Sequence, residues 1–376
     1  MHILSVTLIP PGEDAQWWRI SNVAEGLNAN KCNVEMIHYI KKGGEAHRII
    51  KEMTNISKEK SGSIVITSPG SFFLHHFRKL SHEKYDFVYG NTYAGTFFCI
   101  FGKLKGVPLI FDMHGISSAE IELDILEGRK RSYAEALLIK MMEYASLHFS
   151  DKIICVSKKM IDYLHDEKKI PLSKLIYGTN GADLEFFRPT NLEKIYEFKK
   201  SLKLEKKFIF GYVGGFQSYQ GIEPFLEAAE QINDNNVKFV IIGGDKKLRL
   251  NNILFISKIP RIQVPLYYSL CDVLVLPRPR HLATEVAAPT KFAEYCAMGK
   301  PILTTDVGDA ADLVRMYKNG IVIEDNSPEN LEKGILEFLN LDPEILVEMG
   351  KNSRKLAESE FDWKIVSSNI IAGLEK

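Results

Sequence analysis

No cysteine pair of the CxxC kind occurs in this 376-residue chain, and Cys32, Cys99, Cys155, Cys271 and Cys296 stand apart from one another. That spacing excludes a disulfide framework and a cysteine-ligated zinc site. It predicts buried, reduced thiols and a cytoplasmic setting. An excess of charge is missing as well. Residues 1–180 carry 23 Lys+Arg against 20 Asp+Glu, and residues 181–376 carry 25 against 28. A domain-wide partner such as nucleic acid is not indicated, and the local basic run Arg129, Lys130, Arg131 reads as a solvated helix face or loop. Long apolar runs are also absent. Ala94–Phe101 falls far short of the roughly 18 residues a membrane span needs, and Met1 leads straight into a strand pattern with no signal-peptide signature.

Several chemical motifs are missing. The dinucleotide fingerprint GxGxxG does not occur: the first strand ends in "IPPGED", whose single glycine is Gly12, and Gly211, Gly214 and Gly215 have the wrong spacing. A P-loop GxxxxGK[ST] is absent, and so is an Asp-x-Asp pair of the kind that holds a metal diphosphate. "GISSA" (Gly115–Ala119) departs from the hydrolase elbow GxSxG at its last position and reads as a loop. No His/Cys/carboxylate set has metal-ligand spacing, so no metal site is expected; adjacent His75 and His76 point different ways in any regular element.

What remains is a regular alternation. Composition is 45% hydrophobic and 26% charged, ordinary for a globular chain. Short β-rich runs ("HILSVTLI", "NVEMIHYI", "SIVITS", "FVYG", "LIFDMH", "KIICVS", "KLIYGT", then "FIFGYVG", "KFVIIGG", "ILFIS", "DVLVLP", "PILTTDV", "IVIED") alternate with helical patterns. One such helix starts near Trp17, with Ile20, Val23, Ala24 and Leu27 on one face. Continuous apolar strands between helices predict parallel sheets covered on both faces. Their number predicts an α/β chain of two doubly wound Rossmann-like domains, residues 1–187 and 188–360. In such sheets ligands bind beyond the carboxyl ends of strands, which points to the loops Ile9–Gln16, Asn91–Gly95, Asp112–Ser118, Gly214–Gly221, Gly243–Lys247 and Pro277–Lys291, facing a cleft between the domains.

Two of these loops carry a pattern. "GYVGGFQSYQGIE" from Gly211 has the strand–glycine turn–helix form of a phosphate cradle, yet Gly211 through Ile222 contains no Lys or Arg. In "PTKFAEYCAMGKP" (Pro289–Pro301), Pro289 suits a helix start, Gly299 suits the helix end, and Pro301 cannot continue it. The N-terminus so defined offers the amides of Thr290 and Lys291 to an anion. Lys291 and Glu294 share one helix face, which fits either a phosphate and a ribose diol or an i, i+3 ion pair.

"PTKFAEYCAMGKPILTT" resembles the donor-binding segment of the GT-B glycosyltransferases, in particular the family-4 group of retaining enzymes. "TNGADLEFFRP" is similar to that family's interdomain N-G-x-D-x-x-x-F-x-P signature, "SDKIICVSKKMIDYL" to its A-D-x-x-x-x-V-S segment, and "CDVLVLP" to its A-D-V-x-V-L-P strand. "FDMHG" stands where the family has a strand end carrying a His, and "FDW" (Phe361–Trp363) resembles the crossover that returns the chain to the first domain, so that a helix at about 361–376 completes it. The resemblance implies transfer of a sugar from a nucleotide-sugar donor, UDP- or GDP-linked, with retention of configuration, without a metal or other cofactor. Acceptors would be a glycan, a lipid-linked chain or a small molecule in cell-envelope glycan synthesis, with peripheral contact at the inner face of a membrane. The same fold also serves nucleotide-sugar 2-epimerases and non-catalytic binding subunits.

The site residues carry over unevenly. Glu294 matches the second Glu of the family's E-x7-E motif, which binds the nucleotide ribose; the first falls at Val286, and Glu285, one residue away, is the catalytic candidate the resemblance implies in its place. The variant P-x-K-x-x-E-Y fits, which implies Lys291 as a donor ligand. Where the family often has basic residues in its glycine loop, this chain has Gly215 and Gln220. The amides of Gly214 and Gly215 are then expected at the diphosphate, with charge from Lys291 across the cleft, joined by Arg278 or Arg280 and the helix start at Thr290. His114 is either a catalytic group at the sugar or a satisfied structural His, with Asp112 orienting it or capping a loop. Gly12, Arg19 and Asn91 are the acceptor-side candidates, an exposed salt bridge being the alternative for Arg19. Trp17 and Trp18 line an acceptor site or fill core, and Tyr219 stacks on a base or caps its loop.

Overall fold

The computed structural model describes residues 1–9, 15–39, 64–66, 76, 78–103, 105–244 and 252–376. By its internal contacts the chain forms two compact units. Unit 1 is Met1–Glu122, Arg131–Thr179 and Trp363–Lys376; unit 2 is Leu123–Lys130 and Asn180–Asp362. The division falls at Thr179–Asn180, ahead of the expected boundary at 187, and the C-terminal segment Trp363–Lys376 lies in unit 1.

Unit 1 holds β1 (His2–Thr7), β2 (Asn33–Tyr39), β3 (Ile64–Ile66), β4 (Phe87–Asn91), β5 (Leu109–Met113), β6 (Lys152–Cys155) and β7 (Leu175–Tyr177). They pair in the order β3-β2-β1-β4-β5-β6-β7, parallel throughout. Unit 2 holds β8 (Phe208–Val213), β9 (Val237–Ile242), β10 (Ile253–Ile256), β11 (Val273–Leu276), β12 (Ile302–Thr305) and β13 (Gly320–Ile323) in the order β10-β9-β8-β11-β12-β13, also all parallel. Each segment read from sequence as a strand overlaps one of these. The strands are apolar because helices cover both faces. In unit 2 one core includes Leu274, Tyr295 and Phe361, and the opposite core includes Phe210, Phe225 and Phe338. All five cysteines are buried and unbridged.

In unit 1, α1 (Ala15–Ala29) and the last helix (Trp363–Leu374) share the core of Ile3, Ile20, Leu27, Ile154 and Ile370. Gly26 permits their close approach, since a Cβ there would run into Ser367. In unit 2, β8 lies between β9 and β11, so the strand order reverses at β8/β11. Loops leaving adjacent strands diverge at such a point and leave a crevice at their carboxyl ends. The loops in question are Gly214–Gly221 after β8 and the segment from Pro277 after β11.

Candidate functional site

In unit 2 the chain leaves β8 through Gly214 at φ +156° and ends its turn at Gly221, φ +66°, ahead of the helix Ile222–Gln231. Glycine is required at Gly221, where φ is left-handed and a Cβ would meet the Pro277 carbonyl. At Gly214 a Cβ would crowd Lys291 Nζ and push it aside. Lys291 stands in the first turn of the helix Thr290–Ala297. Its Nζ donates to Gln220 Oε1 at 2.8 Å and to Tyr212 Oη at 3.2 Å, and sits 4.3 Å from the Tyr212 ring centroid. The Tyr212 hydroxyl in turn donates to the Gly215 carbonyl at 2.6 Å. The charge missing from the loop is therefore supplied from within the same unit, at contact distance, rather than from across a cleft.

A second cation lies close by. Arg278 is buried; its Nε donates to the Tyr219 carbonyl at 3.1 Å, with the guanidinium 5.9 Å from the Tyr219 ring centroid. Burial, and then the like charge of Arg278, bring the Lys291 ammonium down to about 7. The like charge of Arg278 makes the Lys291 ammonium more costly, and an anion bound at Lys291 relieves that cost. A pH dependence follows. In the free protein Lys291 is charged below about 7 and neutral above it. Donor kcat/KM should therefore fall as pH rises through about 7, a limb that a pH–rate profile of Lys291→Met should lack. A bound diphosphate favours the ammonium, so the same limb in kcat should lie at higher pH.

The amides divide unequally. The Gly214 amide donates to the Ile242 carbonyl of β9 at 2.9 Å, so it continues the sheet ladder instead of facing a phosphate as expected. The Gly215 amide meets no acceptor among the described residues. Pro289 gives the helix Thr290–Ala297 no side-chain cap, which leaves the Thr290 and Lys291 amides as helix N-terminal donors.

Glu294 turns away from Lys291. Tyr268 Oη donates to its Oε2 at 2.8 Å, and Arg261 Nη1 lies 3.1 Å from its Oε1, so no i, i+3 pair forms with Lys291. Burial pushes the Glu294 carboxyl up, and the Arg261 guanidinium opposes that shift. A ribose hydroxyl reaching Glu294 has to share oxygens that two side chains already hold. Glu285 also departs from expectation. Its Oε2 accepts from the Gly308 amide at 2.9 Å, at the start of the helix Gly308–Tyr317, and Arg280 lies 3.7 Å from its other oxygen. That is a helix-capping contact in place of the catalytic position expected. Arg280 is exposed and donates to the Asp306 carbonyl.

Sequence reasoning missed Tyr212, Tyr268 and Arg261. Only Tyr212 left a signal, as a polar ring in the strand entering the glycine turn. Arg129 is exposed in a loop, as read from sequence, and groups with unit 2: its Nη2 donates to the Phe216 carbonyl of the glycine loop at 2.6 Å, while Ser218 Oγ donates to Asp124 at 2.6 Å.

In unit 1 the candidates converge on Asp112, at the end of β5. Arg19 is 2% exposed; it grips Asp112 with Nη2 at 2.6 Å and donates to the carbonyls of Gly178 and Thr179 at 2.8 and 2.9 Å. Tyr89 Oη donates to Asp112 Oδ2 at 2.9 Å. Burial alone would raise the Asp112 carboxyl, but Arg19 and then His114 hold it well below the usual carboxylate range. Arg19 is thus an internal brace, neither an acceptor ligand nor an exposed salt bridge. Asn91 is likewise buried, its amide donating to Ser5 Oγ and the Val6 carbonyl, which corrects the acceptor-side expectation. Gly12 lies outside the described residues. His114 Nε2 is 3.3 Å from Asp112 Oδ2, and its buried Nδ1 has no partner. An ionised Asp112 favours the proton on Nε2, so Nδ1 of the neutral ring presents a lone pair.

The fold also gathers His2, Glu35 and Glu83, whose ligand atoms lie within 4.8 Å of one another, a grouping invisible in sequence spacing. The Lys79 ammonium already pairs with both carboxylates at 2.6 and 2.9 Å. Ser118 of "GISSA" donates to buried Glu143, a contact that gives its hydroxyl a structural partner.

Comparison with known proteins places this geometry. Residues 18–186 match the family described as Glycosyltransferase Family 4, and residues 193–356 match Glycosyl transferases group 1. An uncharacterized glycosyltransferase of Methanocaldococcus jannaschii is 28% identical over 323 residues, 82% of this chain and 76% of the relative. A capsular polysaccharide biosynthesis glycosyltransferase of Staphylococcus aureus is 25% identical over 308 residues, 76% of each chain. Among solved structures, Anabaena HepE in complex with UDP superposes with a TM-score of 0.77 at 16% identity over 100% of both chains, a likeness of fold. With each half matched by its own family model and the fold shared end to end, the chain belongs to the family 4-like glycosyltransferases of the GT-B fold.

Proposed function

We propose that the chain transfers a sugar from a UDP- or GDP-sugar to a cell-envelope glycan or lipid-linked acceptor, with retention of configuration and without a metal. The observation that carries this reading is the pair of cations, half-buried Lys291 and buried Arg278, beside a glycine turn at the strand-order reversal of unit 2. The diphosphate is bound by Lys291 Nζ, Arg278, and the amides of Gly215, Thr290 and Lys291. Gln220, which now accepts from Lys291, releases it to the phosphate.

In the reaction the bond between the anomeric carbon and the diphosphate oxygen breaks, and charge grows on the departing phosphate. Donors already aimed at that charge lower the barrier. The acceptor hydroxyl attacks from the leaving-group side, forms the new C–O bond and gives its proton to the departing phosphate, so no strong enzyme base is needed. His114 Nδ1 is the group in unit 1 suited to accept a sugar hydroxyl. The capsular polysaccharide relative supports a cell-envelope acceptor.

A thermal-shift panel of UDP-, GDP- and ADP-sugars tests the donor. At a hundredfold excess over Kd the true donor adds about 2.7 kcal/mol of stability. Transfer should survive EDTA; a loss restored by Mn²⁺ or Mg²⁺ would refute the metal-free step. A donor incubated alone should yield no epimeric sugar nucleotide by NMR.

A further inference from the structure

The glycine turn Gly214–Gly221 of unit 2 has no cation of its own, and its three glycines give it little intrinsic stiffness. Its shape is set by groups outside it. Tyr212 Oη donates to the Gly215 carbonyl at 2.6 Å, and Arg278 Nε donates to the Tyr219 carbonyl at 3.1 Å. The middle of the turn is held by the segment Leu123–Lys130, which belongs to the same unit. Arg129 Nη2 donates to the Phe216 carbonyl at 2.6 Å, and Asp124 Oδ1 accepts from Ser218 Oγ at 2.6 Å. Arg129 Nε lies 3.7 Å from the same Asp124 oxygen, so the two ends of this clamp steady one another.

Both contacts are charge-assisted, and such bonds are roughly twice as strong as neutral ones. The two ends differ in access to water. Ser218 is buried and the Asp124 side chain is 18% exposed, whereas the Arg129 side chain is 38% exposed, so the carboxylate end is the stronger. The clamp also fixes polarity. Across a trans peptide the carbonyl and the following amide point in opposite directions. With the Gly215 and Phe216 carbonyls turned onto Tyr212 and Arg129, the amides of Phe216 and Gln217 are directed away from those groups. A turn free to rotate can present a carbonyl oxygen to an anion and repel it; the clamp removes that arrangement at Phe216.

We propose that Asp124 and Arg129 are positioning residues for the donor. They hold the glycine turn in the form that receives the diphosphate, so the donor does not have to order the turn on binding. This rests on the donor site proposed for unit 2, since both residues act through the turn and touch no part of the donor. An ordered turn serves the bound donor and the transition state alike, so its loss belongs in KM rather than kcat.

The test is steady-state kinetics of the full chain with the donor varied. Asp124→Ala and Ser218→Ala should each raise donor KM roughly tenfold, the loss of one charge-assisted hydrogen bond, with kcat within about twofold of native. The double variant should be no worse than either single one, because both remove the same contact. Asp124→Asn keeps an oxygen for Ser218 and should recover most of the loss. Arg129→Met should raise KM about threefold, its end of the clamp being the more exposed, and Arg129→Lys should recover part of that. Lys130→Ala, at an exposed cation of the same segment, should leave KM as it is. Acceptor KM and the circular-dichroism melt, which a merely structural role would move, should stay as in the native protein. An unchanged donor KM in Asp124→Ala, losses that add in the double variant, or an equal rise in acceptor KM would overturn the proposal. Lys291→Met separates the two readings: a misplaced donor site would leave its donor kinetics unchanged as well, whereas a wrong clamp alone leaves the Lys291→Met loss in place.

Discussion

Lys291→Met is expected to lower donor kcat/KM by on the order of a hundredfold to a thousandfold, the usual loss when one preorganised donor to a developing charge is removed. Methionine keeps the stem that packs against Tyr212, so the melting temperature should change little. The loss should appear in kcat as well as KM, because the ammonium gains most when the departing diphosphate carries its full charge. Lys291→Arg should recover little, since a planar guanidinium does not reproduce the point contact of Nζ with Gln220 and Tyr212. Glu294 calls for a gentler substitution. Its carboxylate is held by Tyr268 and Arg261, so Glu294→Ala would leave the buried Tyr268 hydroxyl and the half-buried Arg261 guanidinium without their partner and destabilise unit 2. Glu294→Gln keeps the shape, and a selective rise in donor KM there is the result that would connect this residue to the ribose. Steady-state kinetics with a melt on each variant distinguishes these outcomes.

Removing one member of the Arg19–Asp112 pair should have the largest effect on stability. Arg19→Met leaves the Asp112 carboxylate buried with only Tyr89 and His114 beside it, and it also frees the carbonyls of Gly178 and Thr179. Breaking a buried pair in this way costs about 3–5 kcal/mol. That corresponds to roughly 10 °C in the melting of unit 1. The double variant Arg19→Met/Asp112→Leu should recover much of the loss, because no unpaired charge remains. The sign with pH is fixed by Asp112. Its folded-state carboxyl is depressed, so its stabilisation is present above the unfolded-state value near ~3.9 and disappears as pH falls below it. Differential scanning calorimetry reads both effects; an Arg19→Met protein that melts like the native one would show that the pair does not hold unit 1 together.

These two predictions also mark where the sequence could be read and where it could not. Strands were legible because a parallel sheet covered on both faces needs continuous apolar runs, and such runs are short and distinct. Lys291 was legible because proline and glycine bracket its helix and fix where the N-terminus lies. The pairing of Asp112 was half legible: a carboxylate inside "LIFDMH" requires a buried partner. Arg19, four residues before Val23 on the apolar face of α1, lay on the inward side, yet an arginine beside a loop invites a surface reading. The Gly214 amide was misassigned because register was unknown. Only the parallel pairing of β8 with β9 shows that this amide belongs to the ladder. Tyr268 and Arg261 reach Glu294 from separate parts of the chain, and no local spacing announces such a contact.

The central claim is that the diphosphate binds in unit 2 with its charge met by Lys291 at a glycine turn that has no cation of its own. A structure of the protein soaked with the nucleoside diphosphate that gives the largest thermal shift tests it most directly. The account predicts phosphate oxygens within hydrogen-bond distance of the Gly215 amide and of Lys291 Nζ, with Nζ withdrawn from Gln220 Oε1. A diphosphate bound away from Gly215, with Lys291 still on Gln220 and Tyr212, would contradict it.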